Sequence, residues 1–550
     1  MSDAEPRLVD TGRGFTVTYR GKTLYSPKDP KAGAARRVEK LLITPKTLVF
    51  IPSLGLGYGL RELLDRLPES CHILCVEVDE NLFKLALTQA EPLPQSPLLT
   101  IIRADRVEQA AAVLQKLGPW RFRRVLPLHL CGGYQLYRRK YQELQETVEE
   151  EIRLFWQNKL TLLAMGELWL KNLFTNLGFL PDAGDIADLA TKGPVLICGA
   201  GPSLEDSLDW IHRIREKVTL MAVDTSLPVL VAVDILPDWV FTLDAQIHTL
   251  QDFLPNRDSR YKILCDLTSN PQSLRLFSDL YFFSTRFHPL PLFDRLRNAS
   301  LLPTPLPPRG SVGVSAVEAA LAITTGPVLF TGLDFAYSRG QTHARGAPFH
   351  LATLLQCTRM RPCGLAAFEN LLERPRLWLQ GKQGERLLSD LVLHSYARQL
   401  HTINADCSRS FDLGTSGLPV GARRIDSVQT LIDLCDTATP AKVAPEQRGS
   451  LPEARSRPDR QAVERFCEQE QGLLNEVIRT IATPAAALSD AIAPVRYLLL
   501  SLPETDPDRL FRPANLPRIE TAARRLQLRL QQTRDRIKRD KTPPEDETTI

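Results

Sequence analysis

Three carboxylates, a histidine and two glycine turns in the middle of the chain are of the types and spacing needed to handle a phosphorylated ligand. Residues 195–198, VLIC, are short and apolar, right for a buried parallel strand. Gly199, Ala200, Gly201, Pro202 and Ser203 follow, with almost no side-chain bulk. Ser203 has the pattern of a helix N-cap, and Asp206 three residues later suits a capping box. A helix start with free N–H groups beside a glycine turn is a place to hold phosphate. The competing reading is a tight strand-to-helix turn with no ligand. Predicted strands at 218–223 and 239–243 end at Asp224 and Asp244. Another, 328–331, is followed by Gly332, Asp334, Tyr337 and a polar segment carrying His343.

Ligands of open α/β sheets lie at the carboxyl ends of strands, so these residues are expected over one crevice. A helix at 311–324 has small residues near its start (Gly313, Ser315, Ala316), which let it approach a ligand. His343 falls in a loop and not on an apolar face. That leaves a functional role open for it, set against the plainer reading of a hydrogen-bonded structural histidine. Residues 289–308 are proline-rich and predict a surface loop or lid.

The first 140 residues predict a β-hairpin (8–25), a helix from 34 to 42, and a strand–Gly-loop–helix–strand unit. Its strand 47–51 precedes Gly55, Gly57 and Gly59, and a second strand, 71–78, carries Glu77. The pattern fits dinucleotide or S-adenosylmethionine folds loosely. No obvious chemical residue follows it, so a structural Rossmann-like domain is the leading expectation, with a working cofactor site and a partner-binding role as the alternatives. Residues 141–176 carry helical spacing (Leu144, Val148, Ile152, Phe155) and predict a long connecting helix. The expected organisation is therefore 1–140, connector 141–191, central domain 192–437, linker 438–457 and helical domain 458–550. In the last, Val463, Phe466, Leu473, Leu474, Val477 and Ile478 predict one apolar face, as do Ala522, Ala523, Leu526, Leu528 and Leu530. Residues 411–422 predict a hairpin or loop closing the central domain.

The chain has 550 residues, is 43% hydrophobic and carries a net charge of +4. That supports packed cores and gives no concentrated basic face for nucleic acid. Ten cysteines are scattered without a CxxC motif, which argues for reduced thiols and against structural zinc. No secretory leader and no membrane-length apolar run are visible, so a cytoplasmic protein is expected.

In this order the motifs resemble the motility accessory factor family of flagellin glycosyltransferases. Its central domain is similar to bacterial sialyltransferases and to a pterin pyrophosphokinase-like (MptE-like) domain. The carriers are LYSPKDP, GLGYG, GAGPSL, the AVD and TLD strand ends, the PD at 237–238, GSVG…GLDFAYSRGQTH and FDLGTSGLPVGA, spanning about residues 8–425. The resemblance implies an α/β architecture: a Rossmann-like N-terminal domain, a central sialyltransferase-like domain and a C-terminal helical domain. It implies inverting transfer of a nonulosonic acid from a CMP-activated donor to flagellin Ser/Thr, with no cofactor required. By resemblance Gly199, Gly201, Pro202 and Ser203 contact donor phosphate and ribose, and Asp224 and Asp244 surround the nucleotide. Arg309 and Ser311 sit by the donor, Tyr337 near the leaving phosphate, and His343 and Asp334 in the catalytic group. The sialyltransferases tend to have Asn where this chain has Asp224 and Asp244. Carboxylates suit Mg²⁺, so an Mg²⁺-dependent pyrophosphokinase is the alternative. A non-catalytic flagellin-binding assembly factor is the third.

Overall fold

The computed structural model describes residues 5–89, 92–258, 260–372, 375–405, 407–437, 456–482, 485–506 and 509–539. The expected linker at 438–457 and the charged C-terminal tail lie almost wholly outside the described residues. The chain divides into two compact units, 1–164 with 501–510, and 165–500 with 511–550.

In the first unit, strands Thr47–Pro52, His72–Glu77, Leu99–Arg103 and Arg124–Pro127 form a parallel sheet. Sheet order puts Thr47–Pro52 between His72–Glu77 and Arg124–Pro127. Both faces are covered, which is why the strands read as continuous apolar runs. The expected hairpin is a three-stranded antiparallel sheet, Arg7–Asp10, Phe15–Tyr19 and Lys22–Thr23. The helix expected over 34–42 starts earlier, at Pro30, because Asp29 accepts from the Ala32 N–H and Pro30 occupies the first turn.

The long helix runs Arg138–Asn176. Its start belongs to the first unit, where Tyr141, Leu144, Val148 and Ile152 pack under the sheet. Its end belongs to the second. There the Asn172 amide donates to the carbonyls of Ala245 and Thr268, and that of Asn176 to Leu267 and Ser269. The connector is thus divided between two cores.

The second unit is built on a ten-stranded sheet in which every pairing is parallel. From Val195–Cys198 the chain steps outward through Thr219–Val223, Trp239–Thr242, Lys262–Asp266, Leu280–Thr285 and Pro305–Leu306. It then returns to place Val328–Thr331 on the other side of Val195–Cys198, followed by Ser410–Asp412 and Arg423–Arg424. The order reverses between Val195–Cys198 and Val328–Thr331, and that is where doubly wound folds bind ligands.

One expectation is overturned and another is narrowed. Residues 289–308 are not a lid: they form helix Pro291–Asn298 and an edge strand, with Leu292, Phe293, Leu296 and Leu301 buried. Prolines there start the helix and occupy an edge. Of the hairpin or loop expected at 411–422, the structure has the loop, which follows Ser410–Asp412 as that strand joins the parallel sheet.

The C-terminal helices Arg460–Thr480, Ala485–Ile492 and Leu516–Arg539 pack within the second unit. The buried Glu470 carboxylate accepts from Arg295 at 2.5 Å and from the Tyr497 hydroxyl at 2.9 Å. Thr533 donates to the Phe174 carbonyl. Leu528, expected on the apolar face, is exposed; Ile519, Thr533 and Ile537 are buried instead.

Candidate functional site

At the sheet's reversal point the two glycine turns interlock. A Cβ on Gly199 would overlap the Gly332 carbonyl, and one on Gly332, at φ +68°, would overlap the Gly199 carbonyl. Above them lies a cavity of about 180 Å³. It is lined by Gly199–Gly201 of the first turn, Asp224 and Thr225 of the next strand end, and residues 311–313 of the helix start. Residues 332–336, Thr342, His343 and Leu393 complete it. Loops more than 100 residues apart thus converge: the Ala344 N–H donates to the Ala200 carbonyl, and Arg339 and Arg345 pair with Asp206 and Glu205.

The first-turn helix does not offer its N-terminus to a ligand. Ser203 is inside the helix and does not cap it. Asp334, 131 residues away, does so instead: its carboxylate accepts from the Ser203 N–H at 2.9 Å and from the Ser203 hydroxyl. The Gly199 and Gly201 N–H groups are spent on the carbonyls of Thr331 and Gly332. Ser203 is 1% and Asp334 2% exposed, and Pro202 is buried. Burial pushes Asp334 up to about 6, against the pull of its hydrogen bonds and of Lys382. Asp334 therefore caps this helix as well as lining the cavity.

The helix start that faces the cavity is Val312–Ile323, whose N-cap residue Ser311 makes no side-chain capping bond. Ser311, Val312 and Gly313 line the cavity directly. N–H groups of a first turn, with the dipole behind them, suit an anion. Asp224 is 2% exposed and pinned by the Thr242 hydroxyl at 2.7 Å and the Thr225 N–H at 2.8 Å. Burial first, and the Asp244 charge beside it, raise Asp224 to about 6. Buried Asp252, facing both, is pushed to about 8. Among the described residues no three His, Cys, Asp or Glu side chains gather as a metal site.

His343 is half-buried, its ring 5.4 Å from Phe349 and its Nδ1 3.2 Å from Thr342 Oγ1. Burial lowers its pKa below the ordinary 6.5, which keeps a neutral imidazole near pH 7.

Five predicted site residues lie off the cavity lining: the buried Pro202 and Ser203, and Arg309, Tyr337 and Asp244. Arg309 forms a two-point ion pair with Glu318, at 2.6 and 2.7 Å. Tyr337 donates to Asp390 at 2.7 Å. Asp244 accepts from the Gln246 N–H and reaches the site only through its charge.

The sequence reading missed the support beneath the site. Strands Arg376–Gln380 and Arg386–Asp390 form a hairpin. Its Lys382 makes a buried ion pair with Asp412 at 2.6 Å, both side chains 3% exposed. From the same hairpin the Ser389 hydroxyl donates to the Phe335 carbonyl, and the Tyr337 N–H donates to Leu388. These bonds hold Phe335 at φ +50°, a left-handed conformation that costs a bulky residue roughly 1–2 kcal/mol. No local motif announces such a hairpin; only the charged Lys382 between two glycines marks it.

Side chains pack closely against the GxGxG turn of the first unit, beside a cavity of about 120 Å³ that Gly57 and Gly59 line. A Cβ on Gly55 would overlap the Tyr25 hydroxyl and one on Gly57 would overlap Leu93. Glu77 is fully buried and accepts from Ser53, from the N–H groups of Leu54 and Asp79, and from the Tyr141 hydroxyl. It anchors the loop, and the carboxylate oxygens that would accept from ribose hydroxyls already accept from protein groups.

Comparison with known proteins bears on this arrangement. An uncharacterised protein of Treponema pallidum (strain Nichols) is 32% identical over 426 residues, covering 75% of this chain and 73% of its own length. The chain belongs to the family of that protein. A second uncharacterised Treponema pallidum protein is 25% identical over 211 residues, 37% of this chain and 70% of its own. The family model "6-hydroxymethylpterin diphosphokinase MptE-like" matches residues 169–340. The solved Maf glycosyltransferase of Magnetospirillum magneticum AMB-1 has a TM-score of 0.55 at 14% identity, covering 97% of this chain and 90% of its own. The expected likeness to the Maf glycosyltransferases is thus present in the fold along nearly the whole chain. The MptE-like match takes in both glycine turns, Asp224 and the helix Val312–Ile323, and stops before His343.

Proposed function

We propose that the chain is a glycosyltransferase that moves a nonulosonic acid from its CMP-activated donor to Ser or Thr hydroxyls of flagellin, with inversion, in the cytoplasm. The observation that carries this reading is the meeting of an uncapped helix start and a neutral histidine in one cavity. The fold likeness to a Maf glycosyltransferase agrees with it. As the sugar departs, negative charge builds on the nucleotide phosphate. The first-turn N–H groups of Val312–Ile323 are oriented in advance to take it. His343 accepts the acceptor hydroxyl's proton while oxygen attacks the anomeric carbon, so the bond to phosphate breaks without a covalent enzyme intermediate. Asp224, with its oxygens held by threonines, accepts hydrogen bonds from the nucleoside. The cavity is smaller than the roughly 300–1,000 Å³ of ordinary ligand pockets, so it encloses the phosphate end and leaves the rest of the donor at the mouth. No metal or cofactor enters this chemistry.

The test is the mass of flagellin co-expressed with the protein. His343→Ala is expected to slow modification by about 10²–10⁴-fold while calorimetry still detects CMP binding. Full modification by that variant overturns the assignment.

The MptE-like match favours a second reading, a pyrophosphokinase. It needs a cation between carboxylates. Asp224 is engaged by Thr242 and Thr225, which leaves its carboxylate fewer lone pairs for such a cation. Mg²⁺-dependent AMP release from ATP with a hydroxymethylpterin would establish this reading in place of the first.

A further inference from the structure

Seven of the ten cysteines are buried in the cores. Cys363 is exposed and Cys357 partly so, and their sulfurs lie 2.9 Å apart. Cys357 follows helix Pro348–Leu355, and Cys363 opens helix Cys363–Leu372. The turn between them is already closed. The Thr358 N–H donates to the Arg361 carbonyl at 2.9 Å, and the Arg361 N–H donates back to Thr358 at 3.1 Å. The Arg361 side chain ties both flanks, donating to Gln356 at 3.0 Å and to Glu369 at 2.7 Å. Joining the two sulfurs therefore requires little new chain ordering, and that ordering is the main obstacle to closing a loop.

We propose that Cys357 and Cys363 are a site of reversible oxidation that closes an intramolecular disulfide, with a low-molecular-weight disulfide as the oxidant. The exposed Cys363 loses its proton and its thiolate attacks one sulfur of the oxidant, expelling the other as a thiolate. The Cys357 thiolate then attacks the Cys363 sulfur of the mixed disulfide and expels the second small thiolate. Two electrons pass to the oxidant, and the two cysteine protons end on the two released thiols. Contact with Cys363 raises the Cys357 pKa, which assigns Cys363 the first attack. The bond ties the end of one helix to the start of the next. Phe349, at the start of the first of these helices, packs against His343, which lines the cavity. A pair of this kind in a reducing compartment acts transiently, as a sensor rather than a staple.

The test uses the full-length protein equilibrated with oxidised or reduced glutathione, alkylated, and digested with trypsin without reduction. Arg359 lies between the two cysteines, and Pro362 shields the bond after Arg361. After oxidation the Cys357 and Cys363 peptides are expected as one species, short by two hydrogens, that separates on reduction. Cys357→Ser is expected to leave a persistent glutathione adduct on Cys363, and Cys407→Ser to leave the linkage intact. Peptides that come apart after oxidation, or a bond from either cysteine to Cys407, overturn the proposal.

Discussion

Asp334 is a carboxyl group whose native pKa, about 6, lies above its ordinary 3.8 because burial penalises its charge. The native state therefore holds its proton at pH values where the unfolded chain has released it. Stability from this group falls as pH rises from about 4 to about 6 and is level above that. Asn does not titrate. The melting-temperature gap between wild type and Asp334→Asn is thus expected to be largest near pH 4, to shrink toward pH 6 and then to stay constant. Thermal scans across that range check it, and a gap indifferent to pH would contradict the burial argument. His343 carries a related expectation for activity. Its pKa lies below 6.5, so protonation disables the base only under more acidic conditions. The acid limb of the transfer rate should fall below pH 6.5, and a limb at 7 or above would assign the base elsewhere.

At the scale of elements, the hairpin Arg376–Gln380/Arg386–Asp390 is held to the sheet by Lys382 and Asp412. Removing one partner of a buried pair strands the other charge, at a cost of about 3–5 kcal/mol. Lys382→Met should show that loss in denaturant unfolding, and Lys382→Met with Asp412→Leu should recover much of it. Equal losses in the single and double variants would mean that packing, not charge, holds the hairpin. The glycines separate in the same way. At Gly201 a Cβ would stand 2.7 Å from the Gly332 carbonyl and 2.9 Å from the Asp334 carboxyl carbon. Gly201→Val therefore tests the fold and not nucleotide binding alone, and insoluble protein is the expected outcome. Gly340→Ala meets nothing within 4 Å and pays only for its φ of +71°, roughly 1–2 kcal/mol. Soluble yield and melting temperature distinguish the two. These contrasts show what the sequence could disclose. Apolar strands ending in Gly199, Asp224 and Gly332 are local signals, and the strand-end rule places them at one crevice. Which N–H groups remain free there is decided by partners 131 residues apart, as Ser203 and Asp334 are. Periodicity carries no trace of such a pairing. Arg309 reads as a donor-binding cation until its carboxylate partner, Glu318, is found on the next helix.

At the scale of the whole molecule, each unit has its own core and its own glycine loop. Both loops line a cavity beside a helix start, and among the described residues the second unit's cavity also holds a histidine. The two loops therefore answer a nucleotide differently. A ligand that binds the native state stabilises what it binds by RT ln(1 + [L]/Kd), about 2.7 kcal/mol at a hundredfold excess over Kd. CMP is expected to raise the melting of the second unit by several degrees and to leave the first unchanged. Hydrogen exchange locates the effect: residues 311–314 and 332–343 should gain protection, and residues 54–60 should not. Protection at 54–60 would mean that Tyr25 and Leu93 move aside for ligand and that the first unit binds nucleotide. Protection at neither place would separate the fold from nucleotide chemistry altogether, since the free N–H groups of Val312–Ile323 are the feature that calls for a phosphate.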